Sequence, residues 1–343
     1  MKKISLGDVA NSLGVSKTLV SFVINGRAKE KGISKVTAEK VMAKVKELGY
    51  HPNNFARVLR TGKSMTIGVV VADISNAFYA RICKNIEDYC SKNGYNVFFC
   101  SSGENPKKEK SLLNMLYERG IDGLIVSPTR KYSPDLEKEF NAMDIPIVLI
   151  DRYYEGQSYN YVVIDNYKIS KDITQKLIDL GHKNIGFLAI KPLYTTVMQD
   201  RIAGYKDCLK ENDINFSEDM ILNFQLNDLQ IDFSNKIKTV FERDNPVTAL
   251  ISSNNKITLS TMEYLMEENI RIPEDLSFIS FDFLDAFKVL NPPLSSIQLH
   301  AEIIGDKSAE MLLNKITKPH QKIDNVVIEA TYHERKSCKS IDS

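Results

Sequence analysis

The sequence predicts a small all-α headpiece joined to a larger α/β body of doubly wound parallel sheets. Three observations carry that expectation. Residues 4–50 hold three short stretches of helical periodicity, each with a capping serine in front and a glycine behind. From Met65 onward, short apolar runs alternate with amphipathic helices, which is the pattern of parallel βα units. Charge divides at the same place: residues 1–64 contain 13 Lys and Arg against 4 Asp and Glu, a net +9, while the whole chain of 343 residues is +1, leaving −8 for the remainder.

In the headpiece, Ser5 and Asp8 form a capping-box pattern, and Val9, Ala10 and Leu13 follow at helical spacing. Gly14 stops that helix and Ser16 caps a second, in which Val20, Val23 and Ile24 face inward until Asn25-Gly26 ends it. Two short helices about a Gly-containing turn make a helix-turn-helix, whose second helix enters the DNA major groove with its N-terminal residues at base edges. Ser16, Lys17, Thr18 and Ser21 are the exposed residues there, with Phe22 next. A helical hairpin with no DNA role fits the same residues, but the local +9 charge favours a phosphate-bearing partner. A third helix is expected from the Ser34 cap to the Gly49 stop, burying Val36, Val41, Val45 and Leu48. The basic loop Arg27–Gly32 before it would lie beside the phosphate backbone.

His51-Pro52 breaks the third helix, and Pro52 suits the first position of another that runs to Arg60. One to two turns are too few to hold alone, so this segment is expected to order only against a partner helix or DNA. Leu59, apolar on a short basic helix, has the character of a minor-groove wedge; packing against the body is the alternative.

In the body, parallel strands are expected at Ile67–Ala72, Asn96–Cys100, Gly123–Ser127, Ile147–Ile150, Val162–Ile164, Ile185–Ala189, Ala249–Ser252, Phe278–Phe281 and Val326–Ile328. Helices fall between them, with a further one at Ala301–Lys315. Two doubly wound series in tandem suggest two lobes. Ligands of open α/β sheets bind outside the carboxyl ends of the strands, which here carry Asp73, Ser101-Ser102, Ser127, Asp151-Arg152, Asp165-Asn166, Asn254-Asn255 and Asp282. Such short hydrogen-bonding side chains suit a polyhydroxylated ligand or a base, with Phe78, Tyr79 and Phe283 as stacking faces and Arg201 as a bidentate donor. Each Asp or Asn taken alone reads first as a helix cap or turn residue; their convergence on one edge is what points to a site.

Ile4 to Gly26, together with Leu48-Gly-Tyr-His-Pro-Asn-Asn-Phe-Ala-Arg-Val-Leu-Arg-Thr-Gly-Lys-Ser-Met-Thr-Ile-Gly68, resembles the headpiece and hinge of the lactose/galactose-repressor (LacI/GalR) family of bacterial transcription regulators. The resemblance runs through essentially the whole chain. It implies a helix-turn-helix headpiece over 1–50, a hinge over 51–64, and a periplasmic-binding-protein-like body over 65–343. The implied protein is a homodimeric transcription regulator, a repressor, on a pseudo-palindromic operator in double-stranded DNA. Lys17, Thr18 and Ser21 would read bases or phosphates, with Ser5, Ser16, Phe22, Asn25 and Arg57 completing the DNA-facing set. Asn53, Ala56 and Leu59 match hinge positions, Leu59 as the wedge. Phe22 stands where Arg is frequent, and the Lys29–Ile33 loop is longer than usual, so the operator sequence is not transferable from relatives.

The same resemblance implies three crossings between lobes, placed near Val163, Leu294 and Lys318. Lobe 1 would then comprise about 65–163 and 295–318, and lobe 2 about 164–294 and 319–343. Positions matching Phe78, Tyr79, Arg201, Asn254 and Asp282 would line a cleft for a small-molecule effector, a sugar or sugar derivative, with Asp151 and Asn166 nearby and Asp73 and Ser101 completing the set. Helices Tyr79–Asn93 and Ile257–Asn269 would form the dimer face. The short polar segment 334–343 has no leucine heptads, so no tetramerising helix is expected. His182 falls in a family stretch that is structural.

Other classes find less support. The five His make no HxxxH or HExxH, and there is no GxSxG, GxxxxGK[ST] or GxGxxG after the first strand, so an enzyme lacks its chemistry and no cofactor or metal is called for. A solute-binding protein would share the body but not the basic head, and no apolar h-region follows Lys2-Lys3. No run approaches a membrane span, and Cys83, Cys90, Cys100, Cys208 and Cys338 include no CxxC pair, as expected of reduced thiols in a cytoplasmic protein.

Overall fold

The computed structural model describes residues 4–50, 62–225 and 233–341. The chain separates into two compact units, Met1–Ser64 and Met65–Ser343. The expectations for Asn53, Ala56, Arg57 and Leu59 lie outside the described residues.

Among its described residues the first unit has three helices, α1 (Leu6–Leu13), α2 (Lys17–Ile24) and α3 (Lys35–Glu47). Ser5 Oγ accepts from the Asp8 amide at 3.3 Å while Asp8 Oδ2 accepts from the Ser5 amide at 2.8 Å, which completes the capping box. Gly14 takes φ +66°, a left-handed turn open to glycine without steric cost, and Ser16 and Ser34 cap α2 and α3. Val9, Ala10, Val20, Val23, Val41 and Tyr50 form the core. Val36, expected inside, is 61% exposed. It precedes Val41 by five residues, so it is rotated roughly 140° away from the stripe that Val41, Val45 and Leu48 share. Tyr50, past the end of α3, fills the core instead.

The second unit holds two parallel sheets. The first part of the chain runs β1 (Thr66–Val71), α4 (Ala77–Lys92), β2 (Asn96–Ser101), α5 (Pro106–Glu118), β3 (Gly123–Val126), α6 (Pro134–Met143), β4 (Ile147–Ile150) and β5 (Asn160–Ile164). The second series is α7 (Asn166–Asp179), β6 (Ile185–Ile190), α8 (Thr196–Glu211), β7 (Ile221–Phe224), α9 (Phe233–Lys238), β8 (Ala249–Ser252), α10 (Asn255–Glu267), β9 (Ser277–Ser280) and β10 (Ser295–Gln298). It ends with α11 (Ala301–Thr317), β11 (Val326–Ile328) and β12 (Thr331–His333). Strand order is β11-β5-β4-β3-β1-β2 in one lobe and β12-β10-β9-β8-β6-β7 in the other; among the described residues β12 alone is antiparallel, against β10.

The first crossing lies at 164–166, next to Val163, while the other two lie at 298–301 and 328–331 rather than near Leu294 and Lys318. Residues 295–298 stay in the second sheet and 326–328 join the first. Sequence patterning misses β10 because Ser295-Ser-Ile-Gln298 has no apolar run. Its buried serines are satisfied by the C-terminal segment: the Ser295 amide donates to Ser337 Oγ at 2.8 Å and Arg335 Nη1 to Ser296 Oγ at 2.8 Å. His182 is a structural post of the same kind, its ring nitrogens 2.9 Å from Thr248 Oγ1 and Ser277 Oγ.

Candidate functional site: the headpiece surface and the interlobe cleft

On α2 of the headpiece, Ser16, Lys17, Thr18 and Asn25 are exposed, while Ser21 and Phe22 are half-buried. Three expected DNA-facing residues also hold the local fold. Ser5 Oγ donates to Asp8 Oδ2 at 2.7 Å, Ser16 Oγ accepts from the Leu19 amide at 3.1 Å, and Asn25 Nδ2 donates to the Ser21 carbonyl at 2.6 Å. The Lys17 side chain lies over Gly7, where an added Cβ would come within 2.9 Å of its Cε. The long loop after α2 is ordered by Arg27, whose guanidinium donates twice to Glu30 at 2.9 and 2.7 Å. Arg27 and Lys31 flank the Phe22 ring, 5.8 and 5.6 Å from its centroid. An aromatic ring with two cations close to it thus occupies position 22.

The carboxyl ends of the two sheets face each other across a cleft with a cavity of about 70 Å3. Lobe 1 contributes Tyr79 from the first turn of α4, whose hydroxyl donates to Asp151 Oδ2 at 2.6 Å and accepts from Ser127 Oγ at 3.0 Å. Phe78 packs edge-on against Tyr79, centroids 5.3 Å apart. Asp151 follows β4 with φ +63°, and Asp282 follows β9 with φ +69°. Left-handed backbone at a non-glycine residue costs roughly 1–3 kcal/mol and gathers at functional sites; here it aims two carboxylates into one cleft. Burial pushes both carboxyls above their usual value, with Arg152 opposing at Asp151 and Arg201 opposing at Asp282.

Lobe 2 contributes Arg201 from α8. It is 4% exposed, donates through Nε to Asn166 Oδ1 at 2.8 Å and through Nη1 to the Ser253 carbonyl at 2.5 Å, and lies 4.1 Å over the Phe281 ring. Asp282 Oδ2 accepts from the Asn255 amide at 3.1 Å. Several contacts join the lobes: Lys256 Nζ to Asp73 Oδ2 at 2.7 Å, Asn255 Nδ2 to Asn76 Oδ1 at 3.1 Å, and the Tyr194 hydroxyl to the Thr129 carbonyl at 2.7 Å.

Of the nine residues expected at the effector site, Asp73, Phe78, Tyr79, Asp151, Arg201, Asn254 and Asp282 line this cleft. Asn166 does not; it stands behind Arg201 and fixes its guanidinium. Ser101 does not either, because its Oγ accepts from the Ile74 amide at 3.2 Å and shapes the loop after β1. Asp73 faces the cleft but is bound to Lys256, whose hydrogen bond with that of Ser75 outweighs burial and holds the carboxyl below its usual value. The residue-by-residue expectation omitted Asn76, Glu104, Lys191 and Ser253, which also line the cleft, as does Arg152. Arg152 was legible as the neighbour of a strand-end Asp. Glu104, in the loop after β2, carries no sequence signal.

Comparison with known proteins agrees with this two-part architecture. The family described as periplasmic binding proteins and sugar binding domain of LacI family matches residues 64–336, and that of bacterial regulatory proteins, lacI family, matches residues 5–53. The HTH-type transcriptional repressor PurR of Vibrio atlanticus is 32% identical over 326 residues, covering 93% of this chain and 94% of its own length. The ribose operon repressor of Haemophilus influenzae is 29% identical over 341 residues, covering 98% and 99%. The structure of the lac repressor dimer bound to operator and the anti-inducer ONPF shares the fold, with a TM-score of 0.81 at 22% identity over 98% of this chain and 100% of that one. The chain belongs to the LacI family of bacterial regulatory proteins, in which a helix-turn-helix head binds DNA and a two-lobed body takes up a small-molecule effector.

Proposed function

We propose that this regulator is a cytoplasmic homodimeric repressor. Its two headpieces read an inverted-repeat operator, and its cleft takes a small polyhydroxylated metabolite, a sugar or sugar derivative. The observation that carries the ligand class is the cleft wall. Buried carboxylates at Asp151 and Asp282 and the guanidinium of Arg201 supply paired acceptors and donors for hydroxyls, and Phe78 supplies an apolar face. The relatives, the HTH-type transcriptional repressor PurR and a ribose operon repressor among them, support a metabolite-controlled operon. Direct hydrogen bonds bridge the two lobes beside this cavity, so a sugar enters by parting the lobes. Parting them breaks the Lys256–Asp73, Asn255–Asn76 and Tyr194–Thr129 contacts. This motion is the two-state element through which ligand and operator affinity are linked.

Dimerisation through α4 and α10 is supported by the apolar surface on α10, where Leu259 is 50% and Met266 77% exposed. Cytoplasmic placement follows from a DNA partner; among the described residues no helix is long and apolar enough to cross a membrane. Two measurements test the proposal together. Selection from a random duplex pool should return inverted repeats, and a thermal-shift screen of unphosphorylated pentoses and hexoses should return at least one stabilising sugar. A pool without symmetric sequences and a screen without any sugar would overturn it.

A further inference from the structure

We propose that Glu104 sets the charge selectivity of the cleft, so that the site takes uncharged ligands and turns away phosphorylated or carboxylated ones. This rests on the reading of the cleft as the effector site. A buried guanidinium at the wall of a ligand cleft is ordinarily a bidentate receptor for phosphate or carboxylate. Arg152 is such a group, its side chain 12% exposed. Its fork, however, is filled from within the protein. Nη1 and Nη2 donate to Glu104 Oε2 and Oε1 at 2.8 and 2.5 Å, and Nη1 also lies 3.3 Å from the Pro128 carbonyl. Glu104 and Arg152 both belong to lobe 1, so the pair persists whether the lobes are together or apart. Glu104 holds this position with φ +57°, a backbone region unfavourable for its residue type.

What remains for a ligand is neutral in character. Among the described residues Arg152 Nε has no hydrogen-bond partner and lies 3.6 Å from Asp151 Oδ2; it is a single donor, suited to one hydroxyl oxygen. Across the cleft, the fully buried Ser253 Oγ also has no hydrogen-bond partner among the described residues and can serve as donor or acceptor. The charged groups balance. Asp73, Glu104, Asp151 and Asp282 line the cleft with Lys191, Arg152 and Arg201, and Lys256 pairs with Asp73. Four negative charges therefore face four positive ones, and an anion drawn out of water finds no net countercharge. Removing the Glu104 charge frees the Arg152 fork and leaves the wall at +1.

Inorganic phosphate is the probe, compared with chloride at matched ionic strength, with the melting temperature of the full chain as the readout. Wild type and the double variant E104Q/R152Q are expected to melt alike in the two salts, apart from any shift common to both from anions at the basic headpiece. The single variant E104Q is expected to show an additional rise that grows with the logarithm of phosphate concentration. No additional rise in E104Q, or a rise in wild type that R152Q removes, overturns the proposal. Should the amide variant not fold, Glu104→Ser serves for the same comparison. Wild type stabilised by sugar phosphates but not by their parent sugars would also overturn it, while leaving the cleft intact as the effector site.

Discussion

Replacing Arg201 with Met tests the electrostatic construction of the cleft. The side chain keeps nearly its length and loses its charge. Three partners are affected at once: Asn166 Oδ1, the Ser253 carbonyl and the Phe281 face. The larger effect falls on Asp282, which stays buried without the cation that offsets it, while Asp151 keeps Arg152 and loses only the smaller contribution of Arg201. Removing one partner of a buried charge set costs about 3–5 kcal/mol. At roughly 2–4 °C per kcal/mol for a body of this size, R201M should melt about 6–20 °C below wild type. The pH dependence has a definite sign. Burial raises both carboxyls above their unfolded values, so the fold weakens as pH rises through the folded values. Loss of Arg201 raises them further. The deficit of R201M should therefore be largest at pH 8 and should shrink toward pH 5. Melting followed by far-UV circular dichroism at both pH values measures this, and duplex binding by the same protein checks that the headpiece is unaffected. A variant as stable as wild type at pH 8 would show that Arg201 does not compensate the carboxylates, and the reasoning would fail.

Three further outcomes are expected. Burial, with Glu155 and Asp165 adding to it, pushes the Asp200 carboxyl up to about 6, so its contribution is lost as pH rises through that value; Asp200→Asn should raise the melting temperature at pH 8 by an amount that vanishes below about pH 4. Gly204 lets α8 approach α7 so closely that an added Cβ would collide with the Tyr167 carbonyl and meet the Lys171 amide nitrogen at 3.1 Å. Gly204→Ala should accordingly cost about 1–3 kcal/mol or more by urea unfolding, and a neutral result would mean the helices can slide apart. Lys17→Ala should change which half-site bases are selected, by about 1–3 kcal/mol at one position, whereas a uniform loss on all duplexes would make Lys17 a phosphate contact.

The division into a basic three-helix head and an α/β body was legible because capping residues, glycine stops and the change of hydrophobic period all fall at the same boundaries. The strand-end carboxylates were legible for a related reason: Asp151 and Asp282 end apolar runs, and topology places such positions at one edge. Sequence periodicity failed where burial is polar. Ser295–Gln298 is buried through hydrogen bonds to Ser337 and Arg335, which come from some 40 residues further along the chain and leave no trace in local patterning. Val36 was misplaced by counting apolar residues without following their angle around the helix. The Glu104–Arg152 and Lys256–Asp73 pairs depend on loop paths and lobe contact, so a single sequence does not reveal that Asp73 is held by a lysine from the other lobe.

The most direct measurement is the affinity of the full chain for its selected inverted repeat, followed by fluorescence anisotropy with and without the sugar that stabilises it. The account predicts at least a tenfold change in dissociation constant, about 1.4 kcal/mol of coupling. R201M should retain the sugar-free affinity and lose the response. Equal affinity with and without the sugar, in a protein that demonstrably binds both ligands, would contradict it.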